Sequence, residues 1–178
     1  MFTFKIDKNI REMAKVARRE FSKSHNFTNP NNQILGIAAQ IQLAEMIGCK
    51  QVQDWSISDY GCDFELNGFS VNFKCKIINQ NEVPMYYGAD IPYRQYVNKE
   101  HKTDYYLVAA VSRFTADVHV IGYIPFEEVI TSGIEVQEGE TIYPEEGKKY
   151  TPTIHQYWVS FGMLIPVYNI RDIKELGI

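Results

Sequence analysis

Residues 59–78 read DYGCDFELNGFSVNFKCKII, two alternating runs separated by Asn67-Gly68. Asn-Gly favours a two-residue type I′ turn, because both central positions of that turn need positive φ. The turn sets a register: Leu66 faces Phe69, Glu65 faces Ser70, Phe64 faces Val71, Asp63 faces Asn72, and Gly61 lies across from Lys74. Side chains alternate between the faces of a strand. One face therefore carries Phe64, Leu66, Phe69, Val71, Phe73 and Cys75 and belongs in a core. The other carries Asp63, Glu65, Ser70, Asn72, Lys74 and Lys76. That polar face is either the solvated side of an edge hairpin or a working surface, and alternation alone does not choose.

Outward from this hairpin (60–78), the chain divides into recognisable elements. Ile6, Ile10, Met13, Ala17 and Phe21 recur at helical spacing, with Lys8, Arg11, Lys15 and Arg18 on another face. They predict a basic amphipathic helix over 1–23. An Asn-rich loop over 24–33 precedes a second helix over 33–48, in which Gly36, Ala38 and Ala39 permit close packing and Gly48 marks the stop. Residues 80–100 are rich in Tyr and weakly periodic. Two strands starting at Asp104 and Asp117, joined by RFTA, form a second hairpin over 104–123. PFEEVITSG reads as a short helix, 134–153 as a polar, turn-rich excursion, and the end as a strand followed by a helical turn. The expected architecture is one α/β domain over 1–178, a central mixed β-sheet built from two hairpins and flanked by helices.

Composition narrows the class. The 178 residues are 45% hydrophobic and 22% charged, as in ordinary globular proteins. No apolar run approaches membrane-spanning length and no signal-peptide core is present, so no membrane partner is expected. The odd cysteine count (Cys49, Cys62, Cys75) without metal-ligand spacing fits reduced thiols in a cytoplasm. Net charge is −4, but residues 1–23 carry seven basic groups against three acidic ones, a local basic face on an acidic chain. His25, His101, His119 and His155 lack metal or triad spacing. Tyr86, Tyr87, Tyr93 and Tyr96 read more readily as buried under a loop than as base-stacking groups.

A helix, then an Asp-bearing strand, a hairpin and an x-Lys strand resembles the PD-(D/E)XK, or restriction-endonuclease-like, nuclease superfamily of small phage and bacterial type. The strand pair and helix from Lys102 onward and the ending IPVYNIRDIKEL are similar too. The resemblance implies a restriction-endonuclease-like core and a divalent-metal-dependent DNA endonuclease hydrolysing phosphodiester bonds. Carried over by position, Asp63 matches the metal-binding Asp and Lys74 the Lys. Asn72 stands where the family has Glu, Asp or Gln, and Gln40 where many members place a helix Glu. The implied cofactor is Mg²⁺ or Mn²⁺, bound by Asp63 and Asn72 with Glu65 or Glu45 restoring lost charge, and Lys74 orienting water. DNA is the implied partner, with Lys8, Arg11, Lys15, Arg18 and Lys76 on phosphates, and a homodimer would cut both strands. With two of four functional groups neutral, the alternative is an inactive nuclease fold, without a cofactor, acting through nucleic acid or a protein partner.

Overall fold

The Asn67-Gly68 turn forms with both residues at positive φ, 53° and 82°. Its register is the expected one, Leu66 on Phe69, Glu65 on Ser70 and Phe64 on Val71. The computed structural model describes residues 1–21, 29–49, 63–84, 87–97, 103–145 and 148–177. Gly61, Cys62, His25, His101 and Tyr86 lie outside them.

In chain order the elements are β1 (Phe2–Lys5), α1 (Lys8–Phe21), α2 (Pro30–Ile47), β2 (Phe64–Leu66), β3 (Phe69–Ile78), β4 (Gly88–Pro92) and α3 (Tyr93–Val97). There follow β5 (Tyr105–Ser112), β6 (Asp117–Pro125), a 3-10 turn into α4 (Val129–Ser132), β7 (Gly133–Val136), β8 (Ile142–Glu145) and β9 (Lys148–Tyr150). The chain ends with β10 (Gln156–Ser160), β11 (Ile165–Pro166) and α5 (Ile170–Lys174). The main sheet runs β1-β6-β5-β3-β2, with β11 also on β6. It is mixed: β3 and β5 are parallel, and β5 pairs antiparallel with β6. A second sheet has the order β4-β10-β7, and β8 pairs with β9. The α/β class and the mixed sheet flanked by helices are thus as expected.

The main sheet has a core on each side. On the helix side, Phe64, Val71, Phe73, Leu107, Ala109 and Val111 meet α1 and α2. On the other, Tyr106, Val108 and Ala110 meet Ile91, Tyr157 and Val159 of the second sheet. β5 is accordingly apolar on both faces, the pattern of a parallel strand buried on both sides. Helix α2 is buried almost all round. Asn29 caps it by accepting from the N–H groups of Asn31 and Asn32, Pro30 fills the first turn, and Gly48 ends it at φ 72°.

Several expectations change. Residues 2–5 are a strand: Phe2 and Phe4 alternate with polar neighbours and pair with β6, so the first helix begins only at Lys8. Its buried stripe is Ile10 and Ala14, while Met13 is 51% exposed. The second helix starts three residues earlier than read, because Pro is tolerated at a helix start. Ala38 and Ala39 are fully buried, but nothing described lies near the missing Cβ of Gly36. Residues 80–100 hold β4 and α3, and 134–153 hold three strands. The polar row of β3 is no solvated edge, since β5 flanks that strand and the second sheet faces it.

Two glycine substitutions should move stability in opposite directions in urea unfolding. Gly36→Ala should stabilise by roughly 0.5–1 kcal/mol, because it fills open helix surface. Gly122→Ala should cost about 1–3 kcal/mol, because its Cβ would overlap the carbonyl of Ile165 and the side chain of Leu164.

Candidate functional site

β2 is only three residues long. Beyond its end, the N–H of Phe73 on the β2 side of β3 bonds no strand among the described residues. Asp63 supplies the acceptor: its Oδ2 takes the Phe73 N–H at 2.6 Å. Its own N–H donates to the carbonyl of Val71, so the regular ladder stops before the expected Asp63–Asn72 pair. Gln40, projecting from the buried helix α2, donates its amide to Asp63 Oδ1 at 2.9 Å. The Asp63 carboxylate is only 5% exposed and the Gln40 side chain 6%. A buried carboxyl that accepts from a backbone amide and a side-chain amide is held in one orientation.

Asn72 is next to Phe73 on β3 and opposite Tyr106 of β5. It is 3% exposed, and its Oδ1 is buried without a hydrogen-bond partner among the described residues. Such an acceptor costs about 1–3 kcal/mol unless water or a cation meets it. Lys74, two positions on and on the same face, donates to Gln95 Oε1 at 2.6 Å and lies 5.6 Å from the centre of the Tyr106 ring. Lys76 continues the row. Its ammonium donates to Gly88 O at 3.2 Å and to Asp90 Oδ2 at 3.3 Å, and lies 5.2 Å from each of the Tyr87 and Tyr150 rings. A cavity of about 260 Å³ opens here, lined by Asn32, Lys74, Lys76 and Asp90 among others.

Of the residues singled out from sequence, Gln40 and Asp63 are therefore in direct contact, and Asn72, Lys74 and Lys76 share one face. Asp63 does not extend that row. Its carboxylate sits at the edge of β3 and is reached from the helix side, whereas the row faces the second sheet. Glu65 is exposed on the hairpin. Glu45 is also exposed, about 140° around α2 from the buried Gln40, and does not join it. On α1, Lys8 and Arg11 are exposed, Lys15 pairs with Glu12 at 2.6 Å, and Arg18 donates to Gln33 at 3.1 Å. Among the described residues no three His, Cys, Asp or Glu side chains gather as a metal site.

His119 contacts Thr3, and His155 stacks on Tyr93 and bonds Glu135, so both are held in the fold's own contacts. Cys75 packs against the helix-side core, and burial pushes its thiol up to about 12. Sequence reasoning missed Asp90, Gln95, Tyr150 and Gln156. Asp90 accepts from Tyr150 at 2.9 Å and Gln156 at 3.2 Å, and Gln156 also donates to the Tyr150 oxygen at 2.7 Å. Burial, then the Asp90 charge, push the Tyr150 phenol well above its ordinary range, so it stays a donor. No local motif marks these residues; the available signal was the strand-like GADIP around Asp90.

No helix among the described residues is long and apolar enough to cross a membrane. Comparison with models of known protein families gives no match, and comparison with curated proteins gives none either.

Asp63→Ala removes the acceptor for both the Phe73 N–H and the Gln40 amide in a buried site. It should lower unfolding free energy by roughly 2–4 kcal/mol, with Asp63→Asn costing clearly less. Chemical denaturation of the two variants checks this.

Proposed function

We propose that the chain is a restriction-endonuclease-like protein that binds DNA and hydrolyses phosphodiester bonds with the help of a divalent ion. The observation that carries this reading is the buried Oδ1 of Asn72, without a partner among the described residues, beside the strand edge where the Asp63 carboxylate is bonded. A hard cation takes oxygen ligands of these two kinds. For Asp63 and Asn72 to hold one ion, the Asp63 carboxylate, bonded to Phe73 and Gln40 from the helix side, would have to turn toward the Asn72 face. The ion would supply Lewis-acid polarisation of a phosphate oxygen and a more acidic bound water. Lys74, on the face of Asn72 and steadied by Gln95, is suited to offset negative charge on a phosphate. The order helix, Asp63 just before a short strand, x-Lys strand and then a parallel strand supports this reading.

One observation favours a second reading, a nuclease fold that binds without cutting. Gln40 places a neutral amide on Asp63 where a carboxylate would add charge. One unit charge about 4 Å away is worth roughly 4 kcal/mol at an effective dielectric of 20, so ion affinity in this site is weak.

The two readings separate on supercoiled and branched DNA with Mg²⁺ or Mn²⁺. Nicking is expected, with a loss of at least tenfold in Asp63→Asn and Lys74→Ala. Asn72→Asp should raise the Mn²⁺-induced increase in melting temperature above that of the unmodified protein, a readout independent of turnover. Absent nicking and no Mn²⁺ response in either protein would remove the metal-dependent reading.

A further inference from the structure

We propose that the cleft between the β8–β9 hairpin and the outer face of the second sheet binds one unpaired nucleotide of a single-stranded nucleic acid. The cleft is lined by Lys76, Tyr87, Pro144, Lys148, Lys149, Tyr150 and Trp158, and encloses about 370 Å³. That volume lies in the range of small-ligand pockets, roughly 300–1,000 Å³. Three lysines and the half-buried rings of Tyr87 and Tyr150 meet in one concavity, with the buried Trp158 at its floor, on a chain whose net charge is −4.

Its parts are held in place before any ligand arrives. Tyr150 is fixed through its hydroxyl by Asp90 and Gln156. Lys76 is set between the rings of Tyr87 and Tyr150 and braced by Asp90. Trp158 lies against β4 at Gly88, where a Cβ would overlap its indole. Lys148 and Lys149 are exposed at the rim.

The chemistry selects the occupant. An aromatic base stacks on aromatic faces whatever its sequence, and its phosphates meet the rim lysines. An acidic peptide would use the lysines and leave the rings idle. A duplex keeps its bases stacked and cannot enter a concavity with them. Lys76 also lines the cavity that holds Lys74, so a strand leaving this cleft runs along β3 toward Asn72. The inference rests on the nucleic-acid part of the preceding proposal but not on cleavage.

The test is fluorescence anisotropy of labelled (dT)15 and of a 15-base-pair duplex, both in EDTA so that metal-dependent cutting plays no part. The protein should bind (dT)15 at least fivefold tighter than the duplex. Lys149→Glu, a surface change, should weaken (dT)15 at least fivefold and reduce the salt slope by about one. Tyr150→Leu should weaken it roughly fivefold or more, whereas Tyr150→Phe, which keeps the ring, should stay within twofold. Lys174→Glu, an exposed change on α5, should leave (dT)15 binding unchanged. Circular dichroism checks that each variant folds, and Lys149→Glu decides the matter if the Tyr150 variants do not. Equal affinity for duplex and (dT)15, absence of (dT)15 binding, or wild-type binding by Lys149→Glu overturns the proposal, whatever the cleavage assay shows.

Discussion

The structure turns on one constraint: β3 carries Asn72, which is buried, and Lys74 and Lys76, which are half-buried, on a face turned toward another sheet. Buried polar groups must find partners, and lysine is rarely buried without them. For the two lysines the fold meets the demand with residues from distant parts of the chain. Gln95 takes Lys74, and Gly88 and Asp90 take Lys76. The other face of the same strand sits against α2 through Val71 and Phe73. A strand with an apolar and a polar side is ordinary at a surface; held inside the fold, it forces a lined space between two sheets.

The edge of β3 adds a second consequence. Next to the three-residue β2, the Phe73 N–H donates to the Asp63 carboxylate in place of a strand carbonyl. The same side chain ties α2 to the sheet through Gln40. Asp63 is thus structural in its contacts. The Asn67 side chain shows a similar economy: besides forming the turn, it donates to the carbonyls of Lys174 and Leu176 and anchors the C-terminal end.

How much of this could be read in advance depends on the distance over which each feature is decided. The Asn67-Gly68 turn and its register are local, and the alternation predicted them. The start of α2 is also local, yet Pro30 within an Asn-rich run read as loop although it occupies the first helical turn. β1 is four residues, too short for a pattern, and exists because β6 offers an edge. The covering of β3 was invisible, since it depends on Asp90 meeting Lys76 and on Tyr150 and Gln156 meeting Asp90. Those pairings are made by the three-dimensional arrangement, and none has a short-range signature. For the same reason Gln40 was picked out by helix position, while Gln95, with no motif around it, was missed.

Replacing this row, one side chain buried and two half-buried, by apolar side chains of similar size tests the central claim most directly. Polar networks of this kind can often be exchanged for apolar ones at little cost or with a gain in stability. A protein carrying Asn72→Leu, Lys74→Met and Lys76→Met together should unfold at equal or higher denaturant concentration and bind nucleic acid at least tenfold more weakly. A triple variant that loses stability while binding nucleic acid as before would show that the row only holds the two sheets together, and would contradict this account.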